Sequence, residues 1–278
     1  YFDIEKAKLM PKFEDIKKKI TRQTKVIIIV HYQGYSVDYL DSLQQLCKQK
    51  KIILIEDAAQ AFGSFFKKKP LGSYGDFSCF SFHETKNIHS GTGGMLVVNN
   101  KKFINKINFI FDKGTNRNLM GTNKVKYYTW VEIGSAFLMT ELSASFLLPQ
   151  IKDYKKIFIK RSNLFMKYVE NLKELNNKNF IITNKYKYKY NFHALVIILE
   201  KNIRDSFLRY LKKNKINAVI SYMPLHKSSF GKKFHKNQKK LINTDLYVKN
   251  VVRLPLHNSL TFKEVNYISE KIKNYFIK

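Results

Sequence analysis

Four side chains whose types could do chemistry follow two apolar runs of this 278-residue sequence. Asp57 comes directly after the run ILIE, and Gln60 lies three residues further on. Ser81 stands at the end of the run CFSF, and Lys86 follows it. Because ligands of open α/β sheets bind at the carboxyl ends of the strands, these four residues are the first candidates for a functional site.

An acid at one strand end and a lysine after another are what a pyridoxal phosphate (PLP) enzyme needs. The lysine binds this cofactor as a Schiff base, and the carboxylate keeps the pyridine nitrogen protonated so that the ring withdraws electrons. Singly, each residue has an ordinary explanation: Lys86 is one of many lysines, and Asp57 could cap a following helix. The signal is therefore their combination.

Two neighbouring motifs resemble other kinds of site. His83 and Glu84 begin HETKN, which lacks the second histidine of an HExxH zinc site, so no metal is expected. The stretch GTGG at 91–94 is not followed by a helix with the lysine and hydroxyl residue of a phosphate loop. It predicts instead a tight turn with close backbone approach.

The elements that carry these residues are predicted to form one βαβ unit followed by further strands. Short apolar runs rich in β-branched residues at 25–32 and 51–56 predict strands, and helical spacing at 37–49 predicts a helix between them. Further strands are expected at 76–82 and 94–100. Near-continuous apolar strands are typical of a parallel sheet covered on both faces, joined by right-handed crossovers.

The second half of the chain predicts a smaller α/β domain. Apolar residues recur at helical spacing over 137–175, with Pro149 as the expected kink or break. Strand and helix signals then alternate, with strands at 191–199 and 216–223 and helices at 204–215 and 261–276. We expect two domains, residues 1–150 and 151–278, since single cores stop growing at about 250 to 300 residues.

The net charge of the chain is consistent with a different class of function. It has 51 basic and 21 acidic residues, a formal net charge of +30, which suits a basic polyanion-binding or nucleic-acid-binding protein. Only six of the basic residues are arginines, whereas base and phosphate recognition favours the arginine fork. Nucleic acid is therefore the less favoured partner, and this reading stays as an alternative.

Membrane and secretory features are not expected either. No apolar run approaches about 18 residues and no charged leader precedes an apolar segment, so the sequence predicts a cytoplasmic protein. Cys47 and Cys79 are too few for a disulfide framework, and we expect both to be reduced thiols in the core.

Longer stretches carry a specific resemblance. IEDAAQAFGS at 55–64, LGSYGDFSCFSFHETKN at 71–87 and GTGGMLVVNN at 91–100 closely resemble the DegT/DnrJ/StrS family of PLP-dependent nucleotide-sugar aminotransferases. Within the family, SFHETKN is most similar to the branch that makes dTDP-4-amino-4,6-dideoxygalactose. The similarity continues from DIEKAKLMPKFEDIKKKI near the start to VVRLPLHNSLTFKEV near the end.

The resemblance implies a fold and a role for each candidate. The fold would be fold-type-I PLP-transferase-like α/β: a partial large domain with a mostly parallel sheet, and a small C-terminal α/β domain. Lys86 would form the Schiff base and move the proton between cofactor and sugar. Asp57 would pair with the pyridinium nitrogen, Gln60 would contact the ring or its 3-hydroxyl, and Ser81 would donate to the phosphate.

The implied reaction is transamination of a dTDP-4-keto-6-deoxyhexose with glutamate as amino donor, for cell-surface polysaccharide synthesis. Dehydratase relatives carry histidine at the position of Lys86, so lysine favours amino transfer. The resemblance also implies a homodimer. Because the family begins well upstream of residue 1, we expect an N-terminally truncated chain, and an inactive remnant of such an enzyme is the alternative.

Overall fold

The structure is a computed structural model and describes residues 1–5, 9–122, 124–175, 180–183, 188–199, 202–234 and 240–277. The chain divides into two compact units. The first, called the site unit here, comprises residues 25–36 and 40–154, and the second unit comprises 1–24, 37–39 and 155–278. The expected domains, 1–150 and 151–278, stay a prediction.

The site unit is built on a four-stranded sheet and a small hairpin. Its strands in chain order are β1 (Val26–Val30), β2 (Ile53–Asp57), β3 (Phe65–Phe66), β4 (Lys69–Pro70), β5 (Phe77–Ser81) and β6 (Gly94–Val98). The four-stranded sheet has the order β1-β2-β5-β6, and β3 pairs with β4. Strands β1, β2 and β5 are parallel and β6 is antiparallel to β5, so the expected mostly parallel α/β sheet is confirmed.

The two faces of this sheet differ. Ile27, Ile29 and Leu54 are buried on one face, whereas Ile28 and Val30 on the other face are 60% and 46% exposed. This alternation follows from the period of two in a strand, which sends successive side chains to opposite faces. The β-branched runs therefore formed strands as expected, with one face covered more fully than the other.

Four helices complete the first part of the chain. They are α1 (Phe13–Lys19) in the second unit, and α2 (Leu40–Gln49), α3 (Ile104–Phe111) and α4 (Glu141–Lys152) in the site unit. Helix α2 is the expected crossover between β1 and β2, and it buries Leu40, Leu43 and Cys47 at helical spacing. Pro149 lies inside α4, and the helical path breaks at Asp153 rather than at the proline.

The second unit contains a three-stranded antiparallel sheet and further helices. They are α5 (Tyr154–Asn171), β7 (Phe180–Ile182), β8 (Leu195–Leu199), α6 (Arg204–Lys213), α7 (Ile242–Asn250), β9 (Val251–Leu254) and α8 (Phe262–Ile277). The strand order is β7-β8-β9. Residues from α5, α6, α8 and all three strands share one apolar core that includes Phe165, Phe180, Leu195, Phe207 and Ile272.

One expected strand of the second unit is wrong. The run 216–223 is not a strand; only Val219 forms an isolated bridge, with Arg253 of β9. Its neighbours Ile220 and Met223 are 44% and 64% exposed, so the run lacks the covered face that a strand needs. No helix among the described ranges has the length and apolar character needed to span a membrane.

Candidate active site

The carboxyl ends of β2 and β5 bring the candidate residues to one edge of the sheet. These strands are parallel neighbours, with Asp57 opposite Cys79. Side chains alternate along a strand, so Cys79 and Ser81 share a face of β5. The register therefore places Asp57 and Ser81 on the same face at the same edge.

Asp57 is the last residue of β2, and hydrogen bonds hold both its backbone and its side chain. Its carbonyl oxygen accepts from the backbone N–H of His31 at 3.0 Å. The next residue, Ala58, donates its N–H to the carbonyl of Cys79 at 2.9 Å. Asp57 Oδ1 accepts from the N–H of Ala59 at 3.1 Å, which fixes the direction of the half-buried carboxylate.

Gln60 is oriented by the segment that follows β1. Its Oε1 accepts a hydrogen bond from the backbone N–H of Gln33 at 2.6 Å. Gln33 itself has a φ of 59°, a left-handed conformation that non-glycine residues adopt rarely. The two loops after β1 and β2 are thereby tied together, and the side chain of Gln60 lies half-buried beside the sheet edge.

Lys86 lies in the connection from β5 to β6, which is organised by backbone pairing. Phe82 donates its N–H to Gly93 and Glu84 donates to Gly91, at 2.9 and 2.8 Å. At the tip, the N–H of Lys86 donates to the carbonyl of His83 at 2.9 Å. Lys86 is therefore carried on a defined turn just beyond Ser81, and it is half-buried.

The glycines of GTGG serve the turn as expected. Gly93 has a φ of +153°, and a Cβ there would lie 2.5 Å from Ser90 Oγ. A Cβ on Gly94 would lie 2.8 Å from the carbonyl oxygen of Phe80. Both positions require glycine because the two sides of the turn approach each other closely.

A buried polar cluster behind Asp57 was missed by the sequence analysis. The carboxylate of Glu56 accepts from His31 Nε2 at 2.8 Å, and both side chains are fully buried. Burial raises the pKa of Glu56, but the hydrogen bond and charge of His31 and the N–H groups of Gly75 and Gly72 outweigh it and hold the pKa below its usual value. The sequence did contain a signal for Glu56, because an acidic residue ends an otherwise apolar strand run.

Cys79 corrects another expectation. The side chain of this cysteine is exposed, not a core thiol, because it points to the less covered face of the sheet. Partial burial and the nearby carboxylate of Asp57 raise the pKa of its thiol. Cys47 is buried as expected. Sequence patterns alone did not distinguish the two faces.

The groups at this edge fit pyridoxal phosphate chemically. Asp57 supplies a carboxylate fixed by the N–H of Ala59, Ser81 supplies a hydroxyl, and Lys86 supplies a primary amine on a turn beyond the same strand. A carboxylate suits the protonated ring nitrogen of this cofactor, a hydroxyl suits its phosphate, and a primary amine suits its aldehyde carbon.

Comparison with known proteins gives the family. Residues 1–273 match the model of the DegT/DnrJ/EryC1/StrS aminotransferase family. The chain belongs to this family. GDP-perosamine synthase of Vibrio cholerae is 30% identical over 278 residues, which are 99% of this chain and 73% of the relative. The UDP-4-amino-4-deoxy-L-arabinose–oxoglutarate aminotransferase of Shewanella sediminis is 28% identical, over 95% of this chain and 71% of the relative.

The fold agrees with the family. Helicobacter pylori PseC, an aminotransferase involved in the biosynthesis of pseudoaminic acid, superposes with a TM-score of 0.90 at 24% identity. The match covers 99% of this chain and 73% of that structure. The expected fold, enzyme class and cofactor are thereby confirmed: this family member is a PLP-dependent nucleotide-sugar aminotransferase. The narrower dTDP-sugar branch is not confirmed, since the named relatives are enzymes of GDP- and UDP-sugars.

Proposed function

We propose that the chain transfers an amino group from glutamate to C4 of a nucleotide-linked 4-keto-6-deoxyhexose, using Asp57, Gln60, Ser81 and Lys86. The observation that supports this assignment is the register of β2 and β5, which puts Asp57 and Ser81 on one face. The turn that carries Lys86 follows directly from β5. An acid, a hydroxyl and an amine thus stand along one sheet edge.

Each side chain has a separate task in this proposal. When bound, PLP supplies an electron sink that stabilises negative charge on the carbon losing its proton. The Nζ atom of Lys86 would bind the cofactor covalently, and as a free amine it would serve as the group that accepts and returns the proton. The carboxylate of Asp57 would accept a hydrogen bond from the ring N–H and so keep that nitrogen protonated. Ser81 Oγ would donate to a phosphate oxygen, and Gln60 would contact the ring or its 3-hydroxyl.

The cofactor assignment is tested by absorbance. The full chain with PLP should show an imine band near the visible range, and Lys86→Ala should abolish it while Lys68→Ala, a change at an exposed lysine of the same unit, leaves it. Borohydride reduction followed by peptide mapping should place the cofactor on Lys86. A band that persists in Lys86→Ala would remove this lysine from the site.

The identity of the nucleotide in the sugar substrate is the more specific part of the proposal. The SFHETKN motif resembles the dTDP-sugar branch, whereas the relatives named above carry GDP- and UDP-sugars in their names. The oxoglutarate in the name of the Shewanella enzyme supports the glutamate/2-oxoglutarate pair as the amino donor couple. We propose the dTDP-linked 4-keto-6-deoxyhexose as substrate. Assays of dTDP-, GDP- and UDP-linked 4-keto sugars with glutamate, followed by product chromatography, decide among them.

A homodimer is proposed as the active form. Large apolar side chains of the site unit are exposed in the single chain, among them Trp130 at 77%, Ile133 at 81% and Leu142 at 84%. Large apolar side chains that are this exposed in a single chain are typical of surfaces that associate. Sedimentation equilibrium should give twice the 32.9 kDa chain mass, and a monomer at micromolar concentration would exclude the dimer.

A further inference from the structure

The carboxylate of Glu56 is surrounded by hydrogen-bond donors. Its Oε1 atom accepts from the N–H groups of Tyr74 and Gly75, both at 2.6 Å, and lies 3.3 Å from Ser78 Oγ, whose single proton has a closer acceptor in the carbonyl of Gly72 at 2.7 Å. Its Oε2 atom accepts from His31 Nε2 and from the N–H of Gly72, both at 2.8 Å. Each oxygen therefore has at least two donors, and the side chain is fully buried.

These donors come from separate parts of the site unit. His31 follows β1, the N–H groups belong to the turn 72–75 before β5, and Ser78 lies within β5. A single carboxylate near the end of β2 thus joins the end of β1 to the beginning of β5 and to the turn before it. Hydrogen bonds to a buried charge contribute more than those between neutral groups, so this one side chain contributes strongly to the local geometry.

Glu56 also reaches Asp57 through two routes. The two residues are consecutive in β2, and their side chains point to opposite faces of the sheet. His31, whose ring bonds the carboxylate of Glu56, donates its own backbone N–H to the carbonyl of Asp57 at 3.0 Å. The same histidine therefore contacts both residues, Glu56 through its ring and Asp57 through its backbone N–H.

We infer that Glu56 is a positioning residue for Asp57: by holding His31 and the turn 72–75, it keeps the carboxylate of Asp57 directed along the cofactor face of the sheet. The inference rests on the proposed function for the role of Asp57 toward PLP, but the position of Asp57 can be measured without the cofactor. Glu56 touches neither substrate nor cofactor, since it lies on the opposite face.

The substitution Glu56→Gln is a sharp test because glutamine matches the shape of glutamate. One of the two carboxylate oxygens becomes an NH₂ group, which faces the N–H groups of Tyr74 and Gly75 in one orientation and the N–H of Gly72 in the other. Donors facing donors repel and remain unsatisfied. The variant therefore breaks the network without changing its volume.

Cys79 provides a reporter of Asp57 in the apoprotein. The thiol is exposed, lies opposite Asp57 in the register, and has a pKa that partial burial and the Asp57 carboxylate raise. Only the thiolate is alkylated, so the pH midpoint of iodoacetamide labelling at Cys79 reports how near that carboxylate stands. Peptide mass spectrometry separates Cys79 from the buried Cys47.

The matched control is Asp76→Asn. Asp76 also ties strands together, at the other end of the sheet: Oδ2 accepts from the N–H of Leu54 at 3.0 Å and Oδ1 from Asn100 Nδ2 at 2.6 Å. Asp76 directly follows the turn 72–75, but its loss leaves every donor to Glu56 in place, so it should weaken the same sheet without releasing Glu56. The urea midpoint of the apoprotein measures the general loss of stability in both variants.

The expected result separates positioning from stability. Asp57→Asn and Glu56→Gln should both lower the pH midpoint of Cys79 labelling. Asp76→Asn should leave that pH midpoint unchanged, although its urea midpoint falls. In PLP titrations, Asp57→Asn and Glu56→Gln should each raise the dissociation constant about tenfold or more, and Asp76→Asn less than about twofold.

The outcomes distinguish this inference from the proposed function. A wild-type labelling midpoint in Glu56→Gln, with a lowered urea midpoint, overturns the positioning role. If the Cys79 labelling midpoint shifts in Glu56→Gln but Asp57→Asn leaves the PLP dissociation constant unchanged, the positioning role is upheld and the cofactor role of Asp57 is refuted. If Glu56→Gln does not fold, Glu56→Asp replaces it: the charge stays but the carboxylate is withdrawn by one CH₂ group from its donors, and an unchanged Cys79 midpoint overturns the inference.

Discussion

Asp57 and Cys79 lie directly opposite each other on the parallel strands β2 and β5, with their side chains on one face of the sheet. If this face binds PLP, the cofactor covers the thiol as well as the carboxylate. We expect saturating PLP to slow alkylation of Cys79 at least about tenfold, because a bound ligand must dissociate before the reagent enters.

The control for this protection is within the same chain. Cys47 is buried in helix α2, where burial and the charge of Asp76 raise its pKa to about 11, so it should stay unlabelled with or without PLP. In Lys86→Ala, protection of Cys79 should require much higher PLP concentrations. Equal labelling rates of Cys79 with and without PLP would show that the cofactor binds elsewhere.

The stability of the protein should depend on pH through Glu56. Its pKa in the folded chain is below the ordinary value of 4.5, so the group stabilises the fold fully above that value and loses its contribution as pH falls through the lower folded pKa. At pH 7, Glu56→Gln should lower the free energy of unfolding by about 3 kcal/mol. The difference between wild type and variant should shrink below about pH 4.5.

Urea denaturation from pH 7 down to pH 3 measures this difference. Glu174→Gln is the matched control, since the side chain of Glu174 is 85% exposed and its variant should follow wild type at every pH. A gap between wild type and Glu56→Gln that widens toward acid would contradict the prediction, because the sign of the pKa change requires it to close.

Two glycines with the same backbone conformation should respond differently to alanine. Gly114 and Gly121 have φ values of +73° and +78°. A Cβ on Gly114 would lie 1.7 Å from the carbonyl oxygen of Glu132, whereas nothing lies within 4 Å of a Cβ on Gly121. Gly121→Ala should cost only the left-handed strain, about 1 kcal/mol, and Gly114→Ala clearly more.

Thermal unfolding and limited proteolysis of the segment 113–136 check this pair. We expect Gly114→Ala to open that segment to protease, because the backbone of residue 132 must move to admit the methyl group. Equal melting temperatures for the two variants would show that the close approach of Gly114 and Glu132 does not hold the segment.

Arg161 of helix α5 is a buried cation held by neutral oxygens. Its guanidinium donates to the carbonyls of Phe192, His193 and Leu256 and to Asn258 Oδ1, at 2.9 to 3.1 Å. Burial and the charge of Arg253 lower its pKa to about 10. Lysine cannot reach four acceptors from one nitrogen, so Arg161→Lys should lower the free energy of unfolding by about 3 kcal/mol.

The exposed Arg209 of helix α6 provides the comparison, and Arg209→Lys should change stability by less than about 0.5 kcal/mol. Urea unfolding followed by fluorescence measures both. A loss in Arg161→Lys no greater than in Arg209→Lys would mean that the four hydrogen bonds contribute no net stability.

The sequence alone indicated the candidate residues, the family and the order of the main elements. Asp57, Ser81 and Lys86 became candidates because each lies in or just after an apolar run, and the four strands of the main sheet were predicted from local spacing of apolar residues, whereas the hairpin β3–β4 was not. Local periodicity reflects the geometry of strand and helix, which does not depend on distant contacts. The family followed from motifs whose residues are contiguous.

The tertiary structure decided what depends on contacts between distant segments. Cys79 was expected in the core, but the register with Asp57 turns it to the exposed face. Glu56 was recognisable only as the end of an apolar strand, and its four N–H donors come from residues 16 to 25 positions away. The run containing Val219 satisfied a strand pattern but found only one bridge. Pairing and burial are set by partners that a local pattern does not contain, and for that reason only the folded chain reveals how Asp57 is held.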